Sequence, residues 1–205
     1  MAQEQGFSSD NLCVLMPICY NNKLLFVHIP KTGGTSIEKA LGVNSLFSET
    51  GSIIDGKVFS QQHFTPVILK HILGEEYEGY IRFTFVRNPY TRMLSEYFWR
   101  VPGANMSGFE RWLTGWVKNM DSDHKLPQWM YLADDLHFVG RFESLQADFA
   151  RLCDTYGING GILPKTNSSA GKKTLLVSSM TDKAISVINS VYEKDFELLS
   201  YNMIQ

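Results

Sequence analysis

Residues 23–36 read KLLFVHIPKTGGTS, and this stretch constrains the chain more than any other. Leu24, Leu25, Phe26, Val27 and Ile29 form an apolar run of the kind found in a buried strand. Pro30 ends the run. Lys31, Thr32, Gly33, Gly34, Thr35 and Ser36 then predict a tight turn into a helix, Ile37 to Leu41, stopped by Gly42. Glycines let backbone N–H groups approach a ligand closely, and a helix start adds unpaired donors and partial positive charge. With Lys31 and the hydroxyls, such a turn suits a phosphate or sulfate. The usual nucleoside-triphosphate loop has its lysine after the glycines; here it comes before them, which argues against a magnesium–triphosphate site. The alternative is a glycine turn that binds nothing.

Residues 81–99 read IRFTFVRNPYTRMLSEYFW and repeat the strand–turn–helix pattern. Phe83 to Val86 predict a strand, Asn88 an N-cap and Pro89 the first helical residue. Met93, Leu94, Tyr97 and Phe98 form an apolar helix face. Arg87 falls at the C-terminal end of the strand, the edge at which open parallel sheets bind ligands. Ser95, about two turns past Asn88, shares a helix face with the cap. An arginine and a serine aimed at one place suit a second anionic group. The alternative pairs Arg87 and Arg92 with nearby acids.

Two anion sites at two strand–helix turns imply a ligand with separated phosphates. FVHIPKTGGTS resembles the 5′-phosphosulfate loop of sulfotransferases that use 3′-phosphoadenosine 5′-phosphosulfate (PAPS), and FVRNPYTRMLSEY resembles their 3′-phosphate motif. The resemblance is to the carbohydrate type, similar to the heparan sulfate 2-O- and 6-O-enzymes and their short bacterial relatives. His63, in QQHFTP, falls where those relatives carry a catalytic histidine; FVGRFESLQADF (138–149) and LPKTNSS (163–169) resemble further family segments. The resemblance extends over residues 23–201. It implies a single-domain α/β fold, a P-loop-like three-layer sandwich with a central parallel sheet flanked by helices, over residues 23–205, with residues 1–22 as an N-terminal extension.

Composition agrees with one domain. A chain of 205 residues with 44% hydrophobic and 20% charged residues can bury a substantial core. A net charge of −2 gives no reason to expect nucleic acid and argues against a broad basic face for a highly sulfated polymer. Cys13, Cys19 and Cys153 form neither a paired framework nor metal-ligand spacing. The opening MAQEQGFSSDN lacks the form of a secretory leader, and no apolar run is long enough to span a membrane. These features predict a cytoplasmic protein.

Strand and helix signals alternate along the chain, which implies an α/β arrangement around a parallel sheet. Residues 42–62 read as a polar loop. Thr65–Pro66 begins a helix that runs to Gly74; residues 109–118 form another; residues 136–139 form a short strand. Leu145 to Tyr156 is helical with Gly157 as its stop, residues 159–173 are a glycine- and serine-rich connection, and Thr181 caps a last helix.

The resemblance implies in-line sulfuryl transfer to a hydroxyl of a carbohydrate or other small metabolite, with no metal required. Lys31 would meet the charge growing on the leaving oxygen. Thr32, Gly33, Gly34, Thr35 and Ser36 would hold the 5′-phosphate, and Arg87 and Ser95 the 3′-phosphate. His63 would take the acceptor's proton, since imidazole titrates near neutrality. His124, in a polar loop, is its rival. His28 reads as a hydrogen-bonded core residue, and Glu96 as a weaker base. Trp99, Trp112, Trp116, Trp129 and Tyr131 line either the acceptor site or the core. Lys165, Asn167, Ser168, Ser169, Lys172 and Lys173 form a loop that closes over the nucleotide or is only a solvated connection. A small-molecule kinase and a non-catalytic nucleotide-binding module are the competing functions.

Overall fold

The computed structural model describes residues 17–43, 52–159, 162–164 and 176–205. In chain order the elements are β1 (Ile18–Cys19), β2 (Leu24–Val27), α1 (Gly34–Leu41), β3 (Ser52–Ile54), β4 (Lys57–Phe59), α2 (Pro66–Leu73), β5 (Ile81–Val86), α3 (Pro89–Arg100), α4 (Phe109–Trp116), β6 (Phe138–Arg141), α5 (Leu145–Tyr156), α6 (Asp182–Val191) and α7 (Glu193–Leu199). Among these residues no helix is long and apolar enough to cross a membrane.

The central sheet has the order β1-β2-β5-β6. β5 runs parallel to β2, with Leu24 opposite Ile81 and Val27 opposite Thr84, and β6 runs parallel to β5, with Val86 opposite Arg141. β1 lies within the stretch read as an extension and adds an antiparallel edge strand to β2. Successive strand side chains point to opposite faces. Leu24 and Phe26 therefore pack with Phe83 and Phe85 against Ile37 of α1 and Phe149 and Leu152 of α5. Leu25, Val27 and Val86 pack on the other face against Leu69 and Leu73 of α2, with Tyr77, Tyr131 and Leu199. Both faces are covered, so β2 is apolar throughout, as parallel strands are. A third cluster joins α3, α4, α6 and α7 through Leu94, Tyr97, Phe109, Ile188 and Phe196.

The helix boundaries follow the capping chemistry. The Asn88 side chain accepts from the Tyr90 and Thr91 amides, with Pro89 at the first position of α3. Thr181 caps α6 through the Ala184 amide. Gly42 and Gly157 close α1 and α5 in the left-handed conformation. The stretch expected as a polar loop instead contains a hairpin, β3–β4, turned by Asp55 and Gly56 at φ of 49° and 72°. Asp-Gly between short strands is the residue pair that such a turn favours. Of the late glycine- and serine-rich connection, residues 165–175 lie outside the described residues, and with them all six polar and basic positions expected to flank the nucleotide.

Gly140 lies opposite Phe85 in the β5–β6 ladder, and a Cβ on it would come within 2.3 Å of the Phe85 ring. Gly140→Ala should therefore cost about 1–3 kcal/mol of stability through overpacking. A lowered urea midpoint with unchanged slope checks this; an unchanged midpoint would show that the ring moves aside freely.

Candidate active site

Parallel pairing brings the C-terminal ends of β2 and β5 to one edge, and the two expected anion loops leave the sheet there side by side. The Arg87 guanidinium bridges them: Nη1 donates to the Lys31 carbonyl at 3.1 Å and Nε to Thr91 Oγ1 at 3.0 Å. Its plane lies over the Phe142 ring, 3.8 Å from the centroid. Gln128 clamps the Arg87 backbone, accepting from its amide at 2.8 Å and donating to its carbonyl at 2.7 Å. Gln128 is held in turn by the buried Asp195, which accepts from the Gln128 and Trp129 amides. Arg87 is 3% exposed and makes no carboxylate ion pair among the described residues. Burial pushes it down to about 10, so it remains cationic at neutral pH.

Arg92 has the same character. It is 1% exposed, and Nε and Nη2 donate to the carbonyls of Pro30 and His124. Among the described residues neither arginine makes a direct ion pair with an acid, as the alternative reading required; Glu143 and Asp195 act on them only at longer range. A buried charge without a directly paired counterion is costly. Two of them at one sheet edge make a site prepared for an anion.

The loop after β2 is shaped by close approaches. Thr32 is fully buried and its hydroxyl donates to the Ile29 carbonyl at 2.8 Å, so that side chain braces the turn. Gly33, at φ 93°, lies against Leu145 and Phe142, where a Cβ would sit 2.8 Å from Leu145 Cδ2. A Cβ on Gly34 would fall 1.9 Å from His28 Nε2. Lys31 occupies the left-handed region at φ 69°, which costs a side-chain-bearing residue about 1–2 kcal/mol. Strain of this kind concentrates at functional sites. Its ammonium rests over the Trp99 ring, 4.4 Å from the centroid. α1 begins at Gly34 with no side-chain cap and no acid in its first turn, which leaves its N-terminus electropositive. Thr35 is exposed there and Ser36 half-buried.

Three histidines stand edge to face beside this loop. Ring centroids of His28 and His63 are 4.4 Å apart, and those of His63 and His124 are 5.2 Å apart. His28 Nδ1 is bound to Glu38 Oε1 at 2.7 Å, and its ring stacks on Phe26. His63 Nδ1 lies 2.8 Å from the His28 carbonyl. A carbonyl can only accept, so Nδ1 carries the proton and Nε2 carries the lone pair. Burial, then the neighbouring His28 and His124, hold His63 well below the ordinary histidine range, so it is neutral at physiological pH. His124 Nδ1 is bound to Glu96 Oε2 at 2.9 Å, and its ring stacks on Trp99.

The expected donor residues therefore meet at one edge, and His63 is beside them. Ser95 is buried on α3, one turn beyond the Thr91 hydroxyl that receives Arg87. Of the aromatic candidates, Trp99 borders the site and is 54% exposed. Trp112 and Trp116 pack on the third cluster, and Tyr131 is fully buried. Trp129 lies under the Lys194 ammonium. Sequence reasoning missed Gln128, Asp195 and Phe142, which support Arg87 from 41 or more positions away and have no local signature.

A model described as the sulfotransferase family matches residues 16–202. No curated protein and no solved structure matches the chain.

The neutral state of His63 has a measurable consequence. Between its depressed folded value and the ordinary value of 6.5, the unfolded chain binds a proton that the folded protein does not. Stability therefore rises with pH through that window and falls as pH drops below about 6.5. His63→Asn keeps a donor for the His28 carbonyl but does not titrate. Urea midpoints measured at about pH 7.5 and about pH 5.5 should differ less in this variant than in the unmodified protein.

Proposed function

The chain belongs to the sulfotransferase family, and from that premise we propose that it moves a sulfuryl group from PAPS to a hydroxyl of a carbohydrate or other small metabolite. The observation that carries the donor assignment is the pair of buried guanidiniums of Arg87 and Arg92, hydrogen-bonded to carbonyls and a hydroxyl and to no carboxylate among the described residues, beside the uncapped start of α1. A nucleotide with phosphates at two positions fits such a site. When bound, PAPS supplies an activated sulfuryl group whose leaving group is the 5′-phosphate.

In this reading, the α1 amides from Gly34 onward and the Thr35 and Ser36 hydroxyls hold the 5′-phosphate, a P-loop-like role despite the inverted lysine order. Gly33 leaves room for the approach, and Thr32 contributes through its backbone. Arg87, fixed by Gln128 and Phe142, holds the 3′-phosphate with Ser95. Lys31 leaves the Trp99 face, where a cation–π contact is worth only about 0.5–1 kcal/mol at an exposed ring, and meets charge on the leaving oxygen. His63 Nε2 removes the acceptor proton. These cations can meet the developing charge without a metal. The buried thiols of Cys19 and Cys153 suit a reducing compartment, so the reading places the enzyme in the cytoplasm.

Calorimetry should show adenosine 3′,5′-bisphosphate binding more tightly than 5′-AMP, by about 1.5–3 kcal/mol for a charge-assisted contact. Arg87→Ala should remove most of that preference. Equal affinities in the unmodified protein, or tighter binding of ATP with magnesium, would overturn the donor assignment.

Turnover separates the catalytic roles. With radiolabelled PAPS and a panel of sugars, sugar nucleotides and phenols, Lys31→Ala should lose about 10²–10³ in rate. His63→Asn should lose about 10²–10⁴. Both should retain affinity for adenosine 3′,5′-bisphosphate. A Lys31→Ala variant with normal turnover and only a raised PAPS KM would reassign the lysine to binding.

A further inference from the structure

His63 is poorly suited to keep a proton. It is buried, its Nδ1–H faces a neutral carbonyl, and two other histidines crowd it. His124 differs on each point. Its ring meets His63 edge-on at an interplanar angle of 89°, its side chain is 13% exposed, and its Nδ1 is bound to a carboxylate. That carboxylate, Glu96, is fully buried. Burial works against its charge, but the bonds from His124 and Arg100 hold its carboxyl below the usual range. The ionised Glu96 therefore accepts from His124 Nδ1–H, which leaves the lone pair on His124 Nε2.

The two histidines are also held in fixed relation. Asp123 accepts from the Ser60 amide, three residues before His63, at 2.7 Å, and from the His124 amide at 2.7 Å. Arg92 binds the His124 carbonyl, and Trp99 stacks on the ring at 8°. The charged and titratable groups around His124 are thus Glu96, Arg100 and Arg92 from α3, Asp123 from its own turn, His63 from the segment before α2, and Lys31 beyond Trp99.

We propose that His63 and His124 form a two-histidine proton relay, in which His124, held by Glu96, takes on the proton that His63 removes from the acceptor. The inference rests on the sulfuryl-transfer reading above. The acceptor O–H bond breaks as its oxygen forms a bond to sulfur. The bond from sulfur to the 5′-phosphate oxygen breaks and leaves its electron pair on that phosphate. The proton passes to His63 Nε2, then directly or through one water to His124 Nε2, and finally to solvent. His124 acts through His63, so it is a positioning residue for the reaction and not a second base on the acceptor.

The test combines kinetics with imidazole NMR. His124→Asn keeps a donor for Glu96 and removes Nε2. It should lower sulfate transfer, to the panel acceptor that turns over and to water, by about 10–100-fold with unchanged affinity for adenosine 3′,5′-bisphosphate. The His63→Asn/His124→Asn double variant should be no slower than His63→Asn alone, because residues acting as one unit are not additive. Glu96→Gln should shift the acid limb of the rate profile to lower pH and reduce its plateau. A merely structural role for Glu96 would leave the limb in place. Losses that multiply in the double variant, or a fast His63→Asn with a dead His124→Asn, would overturn the relay. The NMR arm needs no transfer reaction: in His124→Asn, the His63 titration should move to higher pH. An unmoved His63 titration overturns the relay even if no acceptor turns over. Failure of the donor reading appears separately, as absent sulfate transfer by the unmodified protein.

Discussion

The parallel pairing of β2 with β5 is the constraint on which the rest of the structure depends. Because the two strands run the same way in a fixed register, their following loops emerge together. Lys31 and Arg87, 56 positions apart in the chain, come within one hydrogen bond of each other. Each strand feeds a helix whose N-terminus faces the same edge, so two helix dipoles share one region, with the α3 amides capped by Asn88 and the start of α1 left without a side-chain cap. Antiparallel pairing would send the loops to opposite ends and leave two unrelated turns.

Charge compensation divides this region into two halves. On the side of the two loops, Arg87 and Arg92 are buried and hydrogen-bonded to carbonyls and a hydroxyl, with no direct carboxylate partner among the described residues. With no direct ion pair among the described residues, their charge acts in a partly desolvated setting. On the other side, Arg100 is bound to Glu96 and Lys125 to Asp121. Those cations are already neutralised. The two buried guanidiniums, more than the net charge of −2, define what this edge attracts.

Much of this was legible in the chain. The apolar run before Pro30, the Asn88-Pro89 cap and Thr65-Pro66 each name a local conformation through steric and capping rules acting over a few residues. The observed caps follow them. The β3–β4 hairpin was missed although its Asp-Gly turn was visible, because residues 42–62 were read by polarity and not by turn chemistry. The glycine pair was read as access for a ligand. The structure adds that Gly34 makes room for the His28 ring and Gly33 for Leu145 and Phe142. Those packing demands come from residues up to 112 positions away and leave no local trace.

By itself the sequence determined the strand–turn–helix units, the residues at their junctions and, through those motifs, the sulfotransferase resemblance that the match over residues 16–202 supports at family level. These depend on short-range backbone geometry, which neighbouring residues dictate. Only the tertiary structure decided that Gln128 and Asp195 would fix Arg87, that Thr32 would turn its hydroxyl inward, and that His28, His63 and His124 would meet edge to face, with His28 bound to Glu38 and His124 to Glu96. Such contacts arise when distant segments pack against a common sheet edge. Burial then keeps His63 neutral, and burial is a property of the whole fold and not of any segment.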